Sequence, residues 1–124
     1  MATDTAILIV EDEGVVSMEI QDRVKSLGFR VAGIVPSGAR AVEMAEQHRP
    51  DLVLMDITMP KVDGLKGVQM IKEFDRSAKI VMCSAMGQKE LVLKAIKAGA
   101  KDFIIKPFEE KRVVESVNRV LGIA

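Results

Sequence analysis

The sequence predicts an α/β fold, a doubly wound five-stranded parallel sheet in the order 2-1-3-4-5 with helices on both faces. Three observations carry this. Five short apolar runs alternate with five longer segments whose apolar residues recur every three or four positions, and that alternation is the mark of βαβ units. The runs are continuously apolar rather than alternating, as strands covered on both faces are. Right-handed crossovers then leave few topologies at this size, and 124 residues suit one domain with its own core.

Ala6 to Val10 reads as the first strand, rich in β-branched residues and halted by Glu11 and Asp12. Val16, Ile20, Val24 and Leu27 then recur with helical spacing, and Gly28 stands where a helix C-cap belongs. Arg30 to Val35 is a second strand, weakened by Gly33. A helix opened by Pro36-Ser37-Gly38 runs to about Gln47 with Val42 and Ala45 inward. Leu52 to Met55 is a strand, and Gly64 to Phe74 a helix with Val68, Ile71 and Phe74 in phase. Lys79 to Cys83 is a strand, and Gln88 to Ala98 a helix closed by Gly99. Asp102 to Ile105 is the last strand and Glu109 to Leu121 the last helix. The chain is expected to be a single domain over residues 1–124 with no output domain.

Composition excludes several classes. Lys plus Arg and Asp plus Glu each number 18, so no net positive charge is available to a nucleic acid. Trp and Tyr are absent and Phe numbers four, which leaves little for stacking on bases. Cys83 is the sole cysteine, placed inside an apolar strand, where it reads as core. The N-terminal apolar run is too short for a signal peptide or a membrane span. A cytoplasmic monomer, bound to neither nucleic acid nor membrane, is the expectation.

The carboxyl ends of parallel strands share one edge, where ligands bind at the topological switch point. The first strand delivers Glu11 and Asp12 there, the third Asp56, the fourth Ser84 and the fifth Lys106. These strands are consecutive neighbours in the order 2-1-3-4-5, ~4.8 Å apart. Two unit charges about 5 Å apart repel by ~3 kcal/mol at an effective dielectric near 20, so clustered carboxylates need a cation. Lys106 offsets one charge, and the rest suits Mg²⁺, which takes one or two carboxylates and keeps waters for a phosphoryl group. A metal, a lysine, a hydroxyl and an aspartate make a kit for phosphoryl transfer with the carboxylate as nucleophile. Taken singly, each has a plainer role. Asp12 and Glu11 suit a helix N-terminus, Asp56 a turn, Ser84 a strand end and Lys106 solvated surface. His48, at a helix end without a His or Cys partner, reads as a cap or surface residue.

The motifs MDITMPKVDG around Asp56, CSAMG around Ser84 and AGAKDFIIKPF around Lys106, with the pair Glu11-Asp12, make the chain resemble response regulator receiver domains. The likeness runs over essentially the whole chain and is strongest to the single-domain chemotaxis (CheY-like) type, which has the flavodoxin/CheY-like (βα)5 fold. It implies that a histidine kinase phosphorylates Asp56. Glu11, Asp12, Asp56 and the backbone carbonyl of Thr58 would hold Mg²⁺, for which Mn²⁺ substitutes, and Lys106 would pair with the phosphoryl group. Ser84 would move to bond it, and Phe103 would act as the switch aromatic. A downstream target protein would read the fourth helix, fifth strand and fifth helix. Ser84 stands where many receivers carry Thr, and Phe103 where several chemotaxis members carry Tyr.

Other functions fit the same residues less well. A Mg-dependent, haloacid-dehalogenase-like phosphatase also forms an aspartyl phosphate, but it carries a second acid two residues after the nucleophile, where this chain has Thr58. A flavodoxin-like cofactor binder is disfavoured by the acidic first loop, and a scaffold without phosphorylation by the complete acidic pocket.

Overall fold

The computed structural model describes residues 5–11, 14–56, 64–84, 89–105 and 109–122. Five strands and five helices alternate: β1 (Ala6–Val10), α1 (Gly14–Ser26), β2 (Arg30–Val35), α2 (Gly38–His48), β3 (Leu52–Asp56), α3 (Gly64–Phe74), β4 (Ile80–Ser84), α4 (Lys89–Ala98), β5 (Asp102–Ile105) and α5 (Glu110–Leu121). All pairings are parallel, in the order β2-β1-β3-β4-β5. Every residue of β1, β3 and β4 is buried. The edge strands β2 and β5 keep exposed positions, as a strand with one open side can.

Alternation of side chains along the strands splits the interior in two. Leu8, Val10, Val53, Met55, Ile80 and Met82 face one way, against Ala41 of α2, Val68 and Ile71 of α3, and Val92 and Ala95 of α4. Ile7, Ile9, Leu52, Leu54, Val81 and Cys83 face the other way, against Ile20 and Val24 of α1 and Val113 and Val117 of α5. The helices thus lie on both faces of the sheet, and Cys83 is core as expected.

Register is set at the amino-terminal edge. The Ala6 N–H donates to Asp51 Oδ2 at 2.7 Å, and the Asp51 N–H returns a bond to the Ala6 carbonyl at 2.8 Å. That reciprocal pair brings Ile7 opposite Leu52 and, three positions on in each strand, Val10 opposite Met55, which aligns the carboxyl ends of β1 and β3.

Helix ends follow their local chemistry. Ser37 caps α2 by accepting from the Arg40 N–H at 3.3 Å. At the other end of α2 the left-handed cap is Arg49, with φ 45°, while His48 is the last helical residue. Gly99 ends α4 at φ 126°, and a Cβ there would lie 2.9 Å from Lys72 Cε. The positive φ favours glycine there, and any Cβ would also have to displace the Lys72 side chain.

Candidate functional site

Glu11 and Asp56 come together by register. Val10 pairs with Met55, so one step further on both strands places Glu11 beside Asp56. The Glu11 N–H donates to the Val35 carbonyl at 2.9 Å, which extends the ladder with β2 past the end of β1. Both positions share the side-chain face of Ile9 and Leu54, turned toward α1 and α5. Both are nearly inaccessible, 4% exposed for Glu11 and 5% for Asp56.

Asp56 also pairs with Cys83, whose side chain lies on the same face. Ser84, one residue further and 1% exposed, pairs with Ile105 and lies on the face of Met82, toward α4. Phe103 pairs with Met82 and is half-buried on that same face. Asp56 with Glu11 therefore occupies one side of the sheet, and Ser84 with Phe103 the other. Asp12, Thr58 and Lys106 lie outside the described residues.

Buried carboxylates at neighbouring strand ends repel by ~3 kcal/mol on the scale given above. Their donor set is hard oxygen, close to a loop edge, and matches what Mg²⁺ requires. Among the described residues no three acidic, His or Cys side chains gather as a metal-binding group. Glu11 and Asp56 are the two described members of the expected set.

A second charged group escaped the sequence reading. Asp102 opens β5 on the α5 side of the sheet, where it is buried. Arg112 donates to Asp102 Oδ1 at 3.2 Å and Oδ2 at 3.3 Å, and Arg119 also bonds this carboxylate. Burial pushes the Asp102 carboxyl up, but the donor groups of Arg112, Ser116 and Arg119 and the Phe103 N–H outweigh it and bring the pKa from 3.8 down to about 2. Of the neighbouring side chains, Arg112 and Arg119 stand at hydrogen-bond geometry to the carboxylate, whereas the buried Ser116 hydroxyl oxygen has no partner at that geometry. The available signal was positional: an acid at the inward register of Ile104, with two arginines seven residues apart on the following helix.

Comparison with known proteins agrees with this architecture. Residues 7–118 match the response regulator receiver domain family. The chain is 51% identical to the chemotaxis protein CheY of Bacillus subtilis (strain 168), covering 94% of this chain and 97% of that one. It is 48% identical to the chemotaxis protein CheY of Thermotoga maritima, covering 92% and 95%. Among solved structures, the receiver domain of a Pseudomonas aeruginosa PAO1 sensor histidine kinase superposes with a TM-score of 0.84 at 32% identity, covering 96% and 98%. That protein was solved with a magnesium ion coordinated in its active site cleft. These matches lend no support to the haloacid-dehalogenase-like phosphatase. No helix among the described residues is long and apolar enough to cross a membrane. The chain belongs to the response regulator receiver domain family.

Proposed function

We propose that the protein is a phosphoaccepting receiver of a two-component system, with Asp56 as the nucleophile. The observation that carries this is the register of Glu11 with Asp56, two buried carboxylates at adjacent strand ends in a receiver-family chain. An Asp56 carboxylate oxygen attacks the phosphorus of a phosphohistidine on a histidine kinase. A P–O bond forms, the P–N bond breaks, and the departing imidazole takes up a proton from water. Later attack by water releases inorganic phosphate and restores Asp56.

Mg²⁺, or Mn²⁺ in its place, supplies neutralisation of charge on the phosphoryl oxygens when bound. Glu11, Asp12, Asp56 and the Thr58 carbonyl would hold it, and Lys106 would pair with a phosphoryl oxygen. Ser84 contributes a charge-assisted hydrogen bond to the phosphoryl group, and its shift vacates space on the α4 face for Phe103. Moving an inactive-to-active ratio from 99:1 to 1:99 takes ~5.5 kcal/mol of differential interaction, toward which new bonds from the phosphoryl group to Ser84 and Lys106 would contribute.

The protein is a signalling module and not a turnover enzyme, and it acts as a cytoplasmic monomer. Its output is the binding of a target protein on the α4, β5 and α5 face, where Leu93, Ile96 and Ile105 are exposed. Relatives named for chemotaxis at 51% and 48% identity support that pathway.

The test is incubation with Mg²⁺ and acetyl phosphate, followed by intact mass measurement. One added phosphoryl group, absent when EDTA is present from the start, is expected. No adduct at any donor concentration, or rapid multiple turnover of p-nitrophenyl phosphate, would overturn the reading.

A further inference from the structure

Among the described residues β5 is an edge strand, paired with β4 alone. Its residue Phe103 presents its ring to the α4 face, against the core that contains Val92 and Ala95. From the opposite face, α5 reaches the same stretch of backbone. Arg112 Nη2 donates to the Phe103 carbonyl at 2.7 Å and to Asp102 Oδ1 at 3.2 Å, while Nη1 reaches Asp102 Oδ2 at 3.3 Å. Arg119, two turns along α5, bonds the Asp102 carboxylate but not the Phe103 carbonyl. The two arginines are therefore not equivalent. Either ties α5 to Asp102, whereas Arg112 alone of the pair holds the peptide on which the Phe103 ring is mounted.

We infer that Arg112 is a positioning residue that carries a change at Phe103 across the sheet to α5. The inference rests on the proposed phosphorylation of Asp56. The guanidinium is a rigid planar fork whose donors span the carboxylate and the carbonyl together. Charge-assisted bonds of this kind resist stretching more than neutral ones. A displacement of the Phe103 backbone on the α4 side must then move Arg112, and with it the start of α5, where Val113 and Val117 pack against the sheet. A lysine at position 112 keeps the charge but, as a single point donor, cannot span both acceptors.

The full chain, labelled with 4-fluorophenylalanine and with methyl-labelled valine, provides a test by NMR in Mg²⁺ with and without beryllofluoride as the phosphoryl stand-in. Phe103→Leu assigns the fluorine signal. In the wild type, the Phe103 fluorine and the Val113 and Val117 methyls are all expected to shift. In Arg112→Ala and Arg112→Lys the fluorine still shifts, and the α5 methyl shifts fall at least threefold. Arg119→Ala keeps both responses despite a lower unfolding midpoint, which separates relay from simple clamping. Arg112→Lys retains an ion pair with Asp102 and serves if Arg112→Ala does not fold. Methyl shifts of wild-type size in the Arg112 variants, or an equal loss in Arg119→Ala, would overturn the inference. Phosphorylation of the wild type by acetyl phosphate with silent α5 methyls overturns it alone. Absence of any phosphoryl adduct overturns the proposed function as well.

Discussion

Asp56 and Ser84 end adjacent strands one register step apart and on opposite faces of the sheet: Asp56 pairs with Cys83, and Ser84 pairs with Ile105. The hydroxyl is thus not side by side with the carboxylate. It shares instead the face of Phe103. On the proposed function, a phosphoryl group on Asp56 would project beyond the strand end, where a hydroxyl from the next strand could meet it over the rim. The serine would thereby connect a chemical event on the α1/α5 side to an aromatic ring on the α4 side.

Ser84→Ala tests that connection. The variant is expected to accept phosphoryl groups at Asp56, because the nucleophile and the acidic pair are intact. Loss of one charge-assisted bond, about 1.5–3 kcal/mol, should reduce the phosphorylation-induced active-to-inactive ratio by roughly tenfold or more. Fluorine NMR of Phe103 with beryllofluoride reads this directly. A response of wild-type size would show that Ser84 does not couple the two faces.

Glu11→Gln tests the register pair. The amide keeps the size of the side chain and removes its charge, so Mg²⁺ affinity is expected to fall about tenfold or more, corresponding to ~1.4 kcal/mol or more. The stabilisation that Mg²⁺ confers on unfolding should shrink by the same linkage. Titration calorimetry and thermal melts with and without Mg²⁺ check both quantities. Unchanged metal affinity would remove Glu11 from the site.

Much of this arrangement was legible in the residues. Continuous apolar runs such as Ile7-Leu8-Ile9 located strands that are buried on both faces, and periodicity located all five helices within a residue or two at each end. The errors at strand ends are informative. Asp56 and Ser84 read as the residues after β3 and β4, yet the ladder continues through both, because pairing uses backbone groups and is indifferent to side-chain polarity. The convergence of Glu11, Asp56 and Ser84 on one edge followed from strand order alone. Their division between two faces needed the register. Asp102 was out of reach for a different reason: its partners Arg112 and Arg119 lie on the next helix, and only the packing of α5 on β5 brings them to it.

Asp102 gives a pH dependence of definite sign. Its folded pKa, about 2, lies below the ordinary 3.8, so its contribution is fully present above about pH 4. It is lost as the pH falls through the folded value. The full linkage is ~2.5 kcal/mol, but Arg119 is 65% exposed and solvent screens its share, so ~1–2 kcal/mol is expected. Urea unfolding should place Asp102→Asn below the wild type by about that much at pH 7. The gap should close as the pH approaches 2. A gap that persists undiminished at pH 2 would mean that packing, not charge, is responsible.

Gly99→Ala probes the turn after α4. At φ 126° an L-residue is strained, and the new methyl would press on a Lys72 side chain whose Nζ is tied to the Ala78 carbonyl at 3.2 Å. A loss of about 1–3 kcal/mol in unfolding free energy is expected. A variant as stable as the wild type would show that this turn relaxes freely.

The central claim, that Asp56 is the phosphoacceptor, is tested most directly by locating the acyl phosphate. Treatment with acetyl phosphate and Mg²⁺, then with borohydride, converts a phosphorylated aspartate to homoserine, which peptide mass spectrometry assigns to a position. Homoserine at position 56, and no adduct in Asp56→Asn, is the result this account expects. Homoserine at another aspartate, or an undiminished adduct in Asp56→Asn, would contradict it.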